Sequence, residues 1–179
     1  MKILIIYESM FGNTRDVARA IADGLKPHGI VECVEVGSAT DTVPAGIDLL
    51  IAGAPTHQFG LSRPSSRKQA QGQLEEQLVS TGRGVREWLE TVTFAGTEPL
   101  FATFDTTMSS PRFLKYMGRA SRQIEKRLKG KGLRPAAPAE SFWVASGNGP
   151  LEDGEQERAR SWAACLASTV AGEPAISVR

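Results

Sequence analysis

The chain has 179 residues, of which 41% are hydrophobic and 23% charged, with a formal net charge of +1. That length suits a single domain with a full core, and the proportions are those of a soluble globular protein. A balance so close to neutral supplies no global field for nucleic acid or a membrane surface, and no apolar run reaches the length that spans a bilayer.

Residues 3–6 are four consecutive aliphatic side chains and predict a strand buried on both faces, as in a parallel sheet. The run is too short for the apolar part of a signal peptide. It gives way to Ser9, Gly12, Asn13 and Thr14 and then to a helix over about 14–26. There Val17, Ala18, Ile21, Ala22 and Leu25 form one apolar stripe, and Pro27 and Gly29 end the helix. Residues 31–36 alternate apolar and polar side chains and predict an edge or half-exposed second strand. Residues 47–54 form a second continuous apolar run, a central third strand. Val85, Trp88, Leu89 and Val92 recur at helical spacing, and residues 99–104 predict a fourth strand.

Phe113, Leu114, Met117, Ile124 and Leu128 mark a long basic helix that stops near Gly130 and Gly132. Its Arg119, Arg122, Lys126, Arg127 and Lys129 alternate with Gln123 and Glu125 and read as a solvated face rather than a nucleic-acid surface. Residues 141–145 predict a fifth strand. The last helix starts near Leu151, is acidic in its first turn, and buries Trp162, Cys165 or Leu166, and Val170. The domain is expected over residues 1–172, with a loose tail over 173–179. Cys33 and Cys165 each sit in an apolar stretch and read as buried small hydrophobes. With neither at ligand spacing to a partner, no disulfide framework or metal site is expected, and a cytoplasmic, reducing location follows.

Strict alternation of strand and helix through five strands implies an α/β protein with a doubly wound parallel sheet and right-handed crossovers. With one nucleotide loop after the first strand, the order 2-1-3-4-5 is the economical topology.

The turn after the first strand carries the chemistry. Small hydroxyl and amide side chains at a strand-to-helix turn suit a phosphate, because they converge where the helix presents unpaired N–H groups and its positive dipole end. A P-loop is excluded because no lysine follows Gly12, and Gly12 stands alone where a dinucleotide fingerprint needs three glycines. What remains is a cradle of hydroxyls and amides with no lysine among them, which fits one terminal phosphate rather than a polyphosphate. The plainer alternative is a βα turn with an ordinary N-cap.

Tyr7-Glu8-Ser9-Met10-Phe11-Gly12-Asn13-Thr14 resembles the first loop of the flavodoxin-like family, Ser/Thr-x-Thr-Gly-Asn-Thr, which holds the phosphate of FMN. The variant is most similar to flavodoxin domains of flavodiiron proteins and to small stand-alone flavodoxin-like proteins. The 2-1-3-4-5 order is itself one for which flavodoxin is a standard example. The resemblance implies that Ser9, Met10, Phe11, Gly12, Asn13 and Thr14 surround the phosphate. Glu8 stands where a hydroxyl is common. A carboxylate there would repel a phosphate, so Glu8 is expected to point away or to be paired.

By the same resemblance, Pro55, Thr56, His57, Gln58, Phe59 and Gly60 pack one face of the isoalloxazine ring, with Phe59 as a stacking surface and Gly60 free to take positive φ. Simple loop punctuation is the other reading of this turn. Asp105, Thr106 and Thr107, after the fourth strand, are expected at the pyrimidine end of the ring. Asp105 either caps its turn or lies near the ring. Met108 stands where many relatives carry an aromatic, which leaves that face open to a hydride donor or a partner protein. Arg63, Arg67 and Lys68, in a stretch with Ser62, Ser65 and Ser66, either hold the phosphate of NADPH or an acidic partner, or form a solvated loop leading into a helix. His57 is either a proton donor to a substrate or a loop histidine bonded to backbone or water. The implied function is FMN-based electron transfer, with a redox partner protein or NAD(P)H as the other party. The alternative is an NAD(P)H-dependent FMN reductase of quinones or similar acceptors, an oxidoreductase.

Overall fold

A computed structural model of the chain describes residues 1–57, 60–71, 79–109 and 118–172. Five strands make one parallel sheet: β1 (Lys2–Tyr7), β2 (Ile30–Glu35), β4 (Leu49–Pro55), β6 (Leu100–Met108) and β7 (Glu140–Val144), in the order β2-β1-β4-β6-β7. Counting only these five, this is the predicted 2-1-3-4-5 order. The other two strands, β3 (Thr42–Val43) and β5 (Thr93–Phe94), pair in a separate two-stranded parallel sheet that no periodicity in the sequence announces. Two residues are too few to show alternation.

The helices are α1 (Asn13–Leu25), α2 (Pro64–Gln71), α3 (Val85–Thr91), α4 (Ala120–Gly130) and α5 (Glu155–Val170). Helices cover both faces of the sheet. Ile3, Ile5 and Tyr7 pack with α1 and α5, while Leu4 and Ile6 pack with α3 and α4. This period-2 division is what a strand requires. It also decides where the next residue points: Glu8 continues the Leu4–Ile6 side, opposite α1. On the α1 side, Phe104 meets Phe142 edge-on at 6.2 Å and Phe142 meets Trp162 at 6.0 Å, tying β6, β7 and α5 together.

Several expectations need correction. The fourth predicted strand, placed at 99–104, continues to Met108 because β7 pairs with it from Phe104↔Glu140 to Met108↔Val144. Asp105, Thr106 and Thr107 therefore lie in a strand, not in the loop after it. The last helix begins at Glu155 rather than near Leu151. Gly154 caps it in the left-handed region, and Glu155 turns back to accept Trp143 N–H (2.7 Å). Cys165 is exposed and Leu166 takes the buried position, while Cys33 is only half-buried because β2 is an edge strand. Burial still pushes the Cys33 thiol up to about 11. Of the predicted basic helix, Ile124 and Leu128 are buried on α4; Phe113, Leu114, Met117 and the tail 173–179 lie outside the described residues. Among the described residues, no helix is long and apolar enough to cross a membrane.

Candidate functional site

The C-terminal ends of β1, β4 and β6 open onto one cleft of about 140 Å³, lined by Ser9, Met10, Phe11, Asn13, Thr14, Pro55, Thr56, His57, Thr106, Thr107 and Met108 and closed on one side by Val144 and Gly147. This is the crevice beyond the strand ends, at the switch point of a doubly wound sheet. Three loops far apart in sequence meet there because parallel strands deliver all their C-terminal ends to one edge.

The first loop is shaped by Gly12, whose φ of 91° places it in the left-handed region as the N-cap of α1. No side chain caps the helix from that position. Ser9 Oγ accepts Arg15 N–H (3.2 Å), and Asp16 N–H returns to Gly12 O (2.9 Å). The N–H groups of residues 10–14 find no acceptor among the described residues. Ordinary N-capping thus accounts for part of the turn and leaves a run of adjacent donors open. Around them, Thr14 and Thr106 share a hydroxyl–hydroxyl hydrogen bond (2.7 Å) that joins the β1 and β6 loops. Asn13 Nδ2 donates to Asn148 O (3.1 Å). Gly149, with φ 101°, passes so close to the Asn13 carboxamide that a Cβ there would stand 2.5 Å from it.

The second loop leaves β4 at Pro55. Thr56 N–H donates to Thr106 O (2.9 Å), and Thr56 Oγ1 accepts the first N–H of α4, from Ala120 (3.0 Å). His57 and Gly60 exchange both backbone hydrogen bonds (2.8 and 2.9 Å) as an antiparallel bridge. Gln58 and Phe59 lie outside the described residues. Gly60 does not adopt positive φ; its lack of a Cβ instead makes room for the Gln123 side chain, which would lie 2.3 Å from one. Burial lowers the His57 pKa, and the nearby Arg67 guanidinium lowers it further, both favouring the neutral imidazole.

Asp105 is fully buried and faces away from the cleft. Its Oδ2 accepts both Ser121 N–H (2.9 Å) and Ser121 Oγ–H (2.7 Å) at the start of α4. Burial raises its pKa against those donors and the Arg119 charge. Ser9, Met10, Phe11, Asn13, Thr14, Pro55, Thr56, His57, Thr106 and Thr107 thus stand together, while Gly12 and Gly60 shape turns and Asp105 anchors α4.

The basic stretch at 62–68 resolves differently from its composition. Residues from Pro64 onward form α2, with Pro64 at the first helical position. Arg67 is buried: Nη1 donates to Ser62 Oγ (2.9 Å) and Nη2 pairs with Glu87 (2.9 Å). Arg63 and Lys68 stay exposed. Glu8 is completely buried and paired, accepting from Ser62 Oγ and from Val85 N–H (2.8 Å). Burial lifts its pKa above the ordinary carboxylate range, opposed by Ser62, Val85 N–H and Arg67 and aided by Glu87. Met108, Val144 and Gly147 complete the lining without having been singled out as ligand residues. Val144 and Gly147 carry no chemical signal, and only the pairing of β7 beside β6 brings them to the cleft.

A model of the flavodoxin family matches residues 5–162. The fold is similar to that of an archaeal flavodoxin (14% identity, TM-score 0.61, covering 96% of this chain and 99% of that one). It is also similar to flavodoxin 2 of Bacillus cereus (19%, 0.59, 94% and 99%). The flavodiiron core of Flv1 from Synechocystis sp. PCC6803 is alike over 96% of this chain but only 36% of its own (17%, 0.60). No curated protein matches the chain in sequence. A family model that spans most of the chain, on a sheet of this order with a cleft at its switch point, establishes that this protein belongs to the flavodoxin family.

Proposed function

We propose that the chain binds FMN non-covalently in this cleft and acts in electron transfer. One observation carries the reading: the N–H groups of residues 10–14, open among the described residues and set among Ser9, Asn13 and Thr14 at a helix N-terminus. That donor set suits a single terminal phosphate. The residues present fit FMN, whose phosphate the 10–14 loop would hold, with Thr14 and Asn13 adding side-chain donors. Pro55, Thr56, His57, Thr106, Thr107 and Met108 would contact the rest of the cofactor. Bound FMN supplies the redox chemistry, and the protein positions it and tunes its surroundings. His57 is the titratable side chain of the lining among the described residues, and in its neutral form, which burial favours, an imidazole offers one N–H and one acceptor nitrogen.

The reductase alternative keeps one supporting observation: Met108 lines the cleft at the position where many relatives carry an aromatic. Against it, Arg67, one of the cations of the 62–68 stretch, is already engaged by Ser62 and Glu87.

Titration with FMN, followed by quenching of flavin fluorescence, tests the reading. Thr14→Val removes the hydroxyl that bonds Thr106 and should weaken FMN binding by about tenfold. Absence of flavin binding by the unmodified chain overturns the proposal. Anaerobic mixing of the FMN-loaded protein with NADPH then separates the two activities. Rapid bleaching of the flavin identifies a reductase, whereas a flavin that stays oxidised with NADPH and NADH identifies a carrier reduced by a protein.

A further inference from the structure

The phosphate loop is held from behind by a segment some seventy residues further along the chain. Ser9 N–H donates to Ser80 Oγ (3.0 Å), Ser80 N–H returns to Ser9 O (2.8 Å), and Val79 N–H donates to Met10 O (3.0 Å). Ser80 Oγ donates onward to Glu35 Oε1 (2.6 Å), whose other oxygen accepts Gly37 N–H (2.8 Å). At the other end of the segment, Val85 N–H reaches Glu8 Oε2 (2.8 Å), and Glu8 Oε1 accepts from Ser62, itself held by Arg67. The fit at Gly84 leaves no space for a side chain: a Cβ would lie 2.6 Å from Glu8 Oε2 and 2.5 Å from Arg67 Nη1.

Two carboxylates beside an anion site would repel the anion if they faced it. Neither does. Glu8 lies on the sheet face opposite α1, and each acid receives a serine hydroxyl, Glu8 from Ser62 and Glu35 from Ser80. Several donors around the loop are already taken. Glu8 N–H is taken by Gly53 O (3.0 Å), Ser9 N–H by Ser80 and Arg15 N–H by Ser9 Oγ. Among the described residues the open donors are therefore those of residues 10–14, bounded on both sides by satisfied ones.

We propose that the 79–85 segment is a brace that presets this run of N–H groups for a terminal phosphate, acting through Ser80 and Glu8 as positioning residues that never touch the ligand. The proposal rests on the FMN reading of the cleft. A loop held in its binding geometry before the ligand arrives loses less freedom on binding, so the brace contributes affinity specifically for the phosphate.

Riboflavin, which lacks the phosphate, provides the test on the full-length chain. Ser80→Ala and Glu8→Gln should each weaken FMN binding by about tenfold and leave riboflavin binding within about twofold, with Ser80→Thr recovering most of the FMN affinity. Equal losses for both flavins would show a merely structural role and overturn the brace. So would unchanged FMN affinity in the folded variants. If Ser80→Ala does not fold, Glu35→Gln, at a half-buried acid, is judged by the same comparison. Inorganic phosphate separates the two levels. An unmodified chain that binds phosphate but not FMN overturns the cofactor reading, and loss of phosphate binding in the same variants still supports the brace. A chain that binds neither overturns both.

Discussion

Glu8 and Asp105 are completely buried carboxyls in a protein whose other acids mostly sit at the surface, and their pH behaviour follows from that burial. Each has a pKa raised above its ordinary value, chiefly because burial disfavours the anion. The folded state therefore holds protons more tightly than the unfolded chain between the ordinary carboxylate pKa and the raised one. Stability from these two groups is greatest below the unfolded pKa and declines as pH rises through the folded one. Urea unfolding across pH 4 to 8 should show this slope, and Glu8→Gln and Asp105→Asn should each flatten it relative to the unmodified chain. A slope unchanged in both variants would show that neither acid has a raised pKa in the fold. Gly53 is the other residue with a sharp prediction. In register with Phe104, it leaves no space for a Cβ, which would stand 2.1 Å from the ring. Gly53→Ala should cost about 1–3 kcal/mol, measured as a lower urea midpoint, because the ring must leave its place in the core.

At the scale of elements, the C-terminal end of β6 matters most. Its last residues bond three ways: Thr106 O takes Thr56 N–H, Thr106 Oγ1 meets Thr14, and Asp105 anchors the start of α4. The strand end thus fixes the other two cleft loops relative to each other. Asp105→Ala should free the first turn of α4, removing two hydrogen bonds at a buried acceptor at a cost of about 1–3 kcal/mol. Faster amide hydrogen exchange at Ser121 would show it. The reach of β6 was not readable from its residues: Asp105-Thr106-Thr107 has the composition of a turn as much as of a strand, and only β7 pairing alongside settles the matter. By contrast α1 was legible to within a residue, since thirteen residues carry several turns of apolar periodicity between a glycine and a Pro-Gly stop.

For the molecule as a whole, ligand binding and folding are linked. A cofactor that binds only the folded chain adds about 2.7 kcal/mol of stability at one hundred times its dissociation constant. Thermal unfolding should therefore shift upward with FMN and shift less with riboflavin at equal concentration, because the 10–14 loop contributes only to the former. Equal shifts for both flavins would show that the loop does not read the phosphate.

What the sequence determined by itself was whatever depends on neighbours along the chain. Continuous aliphatic runs placed the central strands, a 3.6-residue stripe placed the helices that cover them, and a cluster of small polar residues without lysine pointed to the turn that the structure sets in the cleft. Strict alternation then left few ways to order the sheet. What only the tertiary structure decided was how distant charges meet. Glu8 could be expected to turn away from a phosphate, but Ser62, Arg67 and Val85 as its partners come from segments that local periodicity cannot relate to it. Arg67 looked like a surface cation because the residues around it are polar, and it is buried because α2 lays it against Ser62 and Glu87. Periodicity reports which face of an element is apolar. It carries no information about which buried charge will find which partner, because those distances are set only when the elements pack.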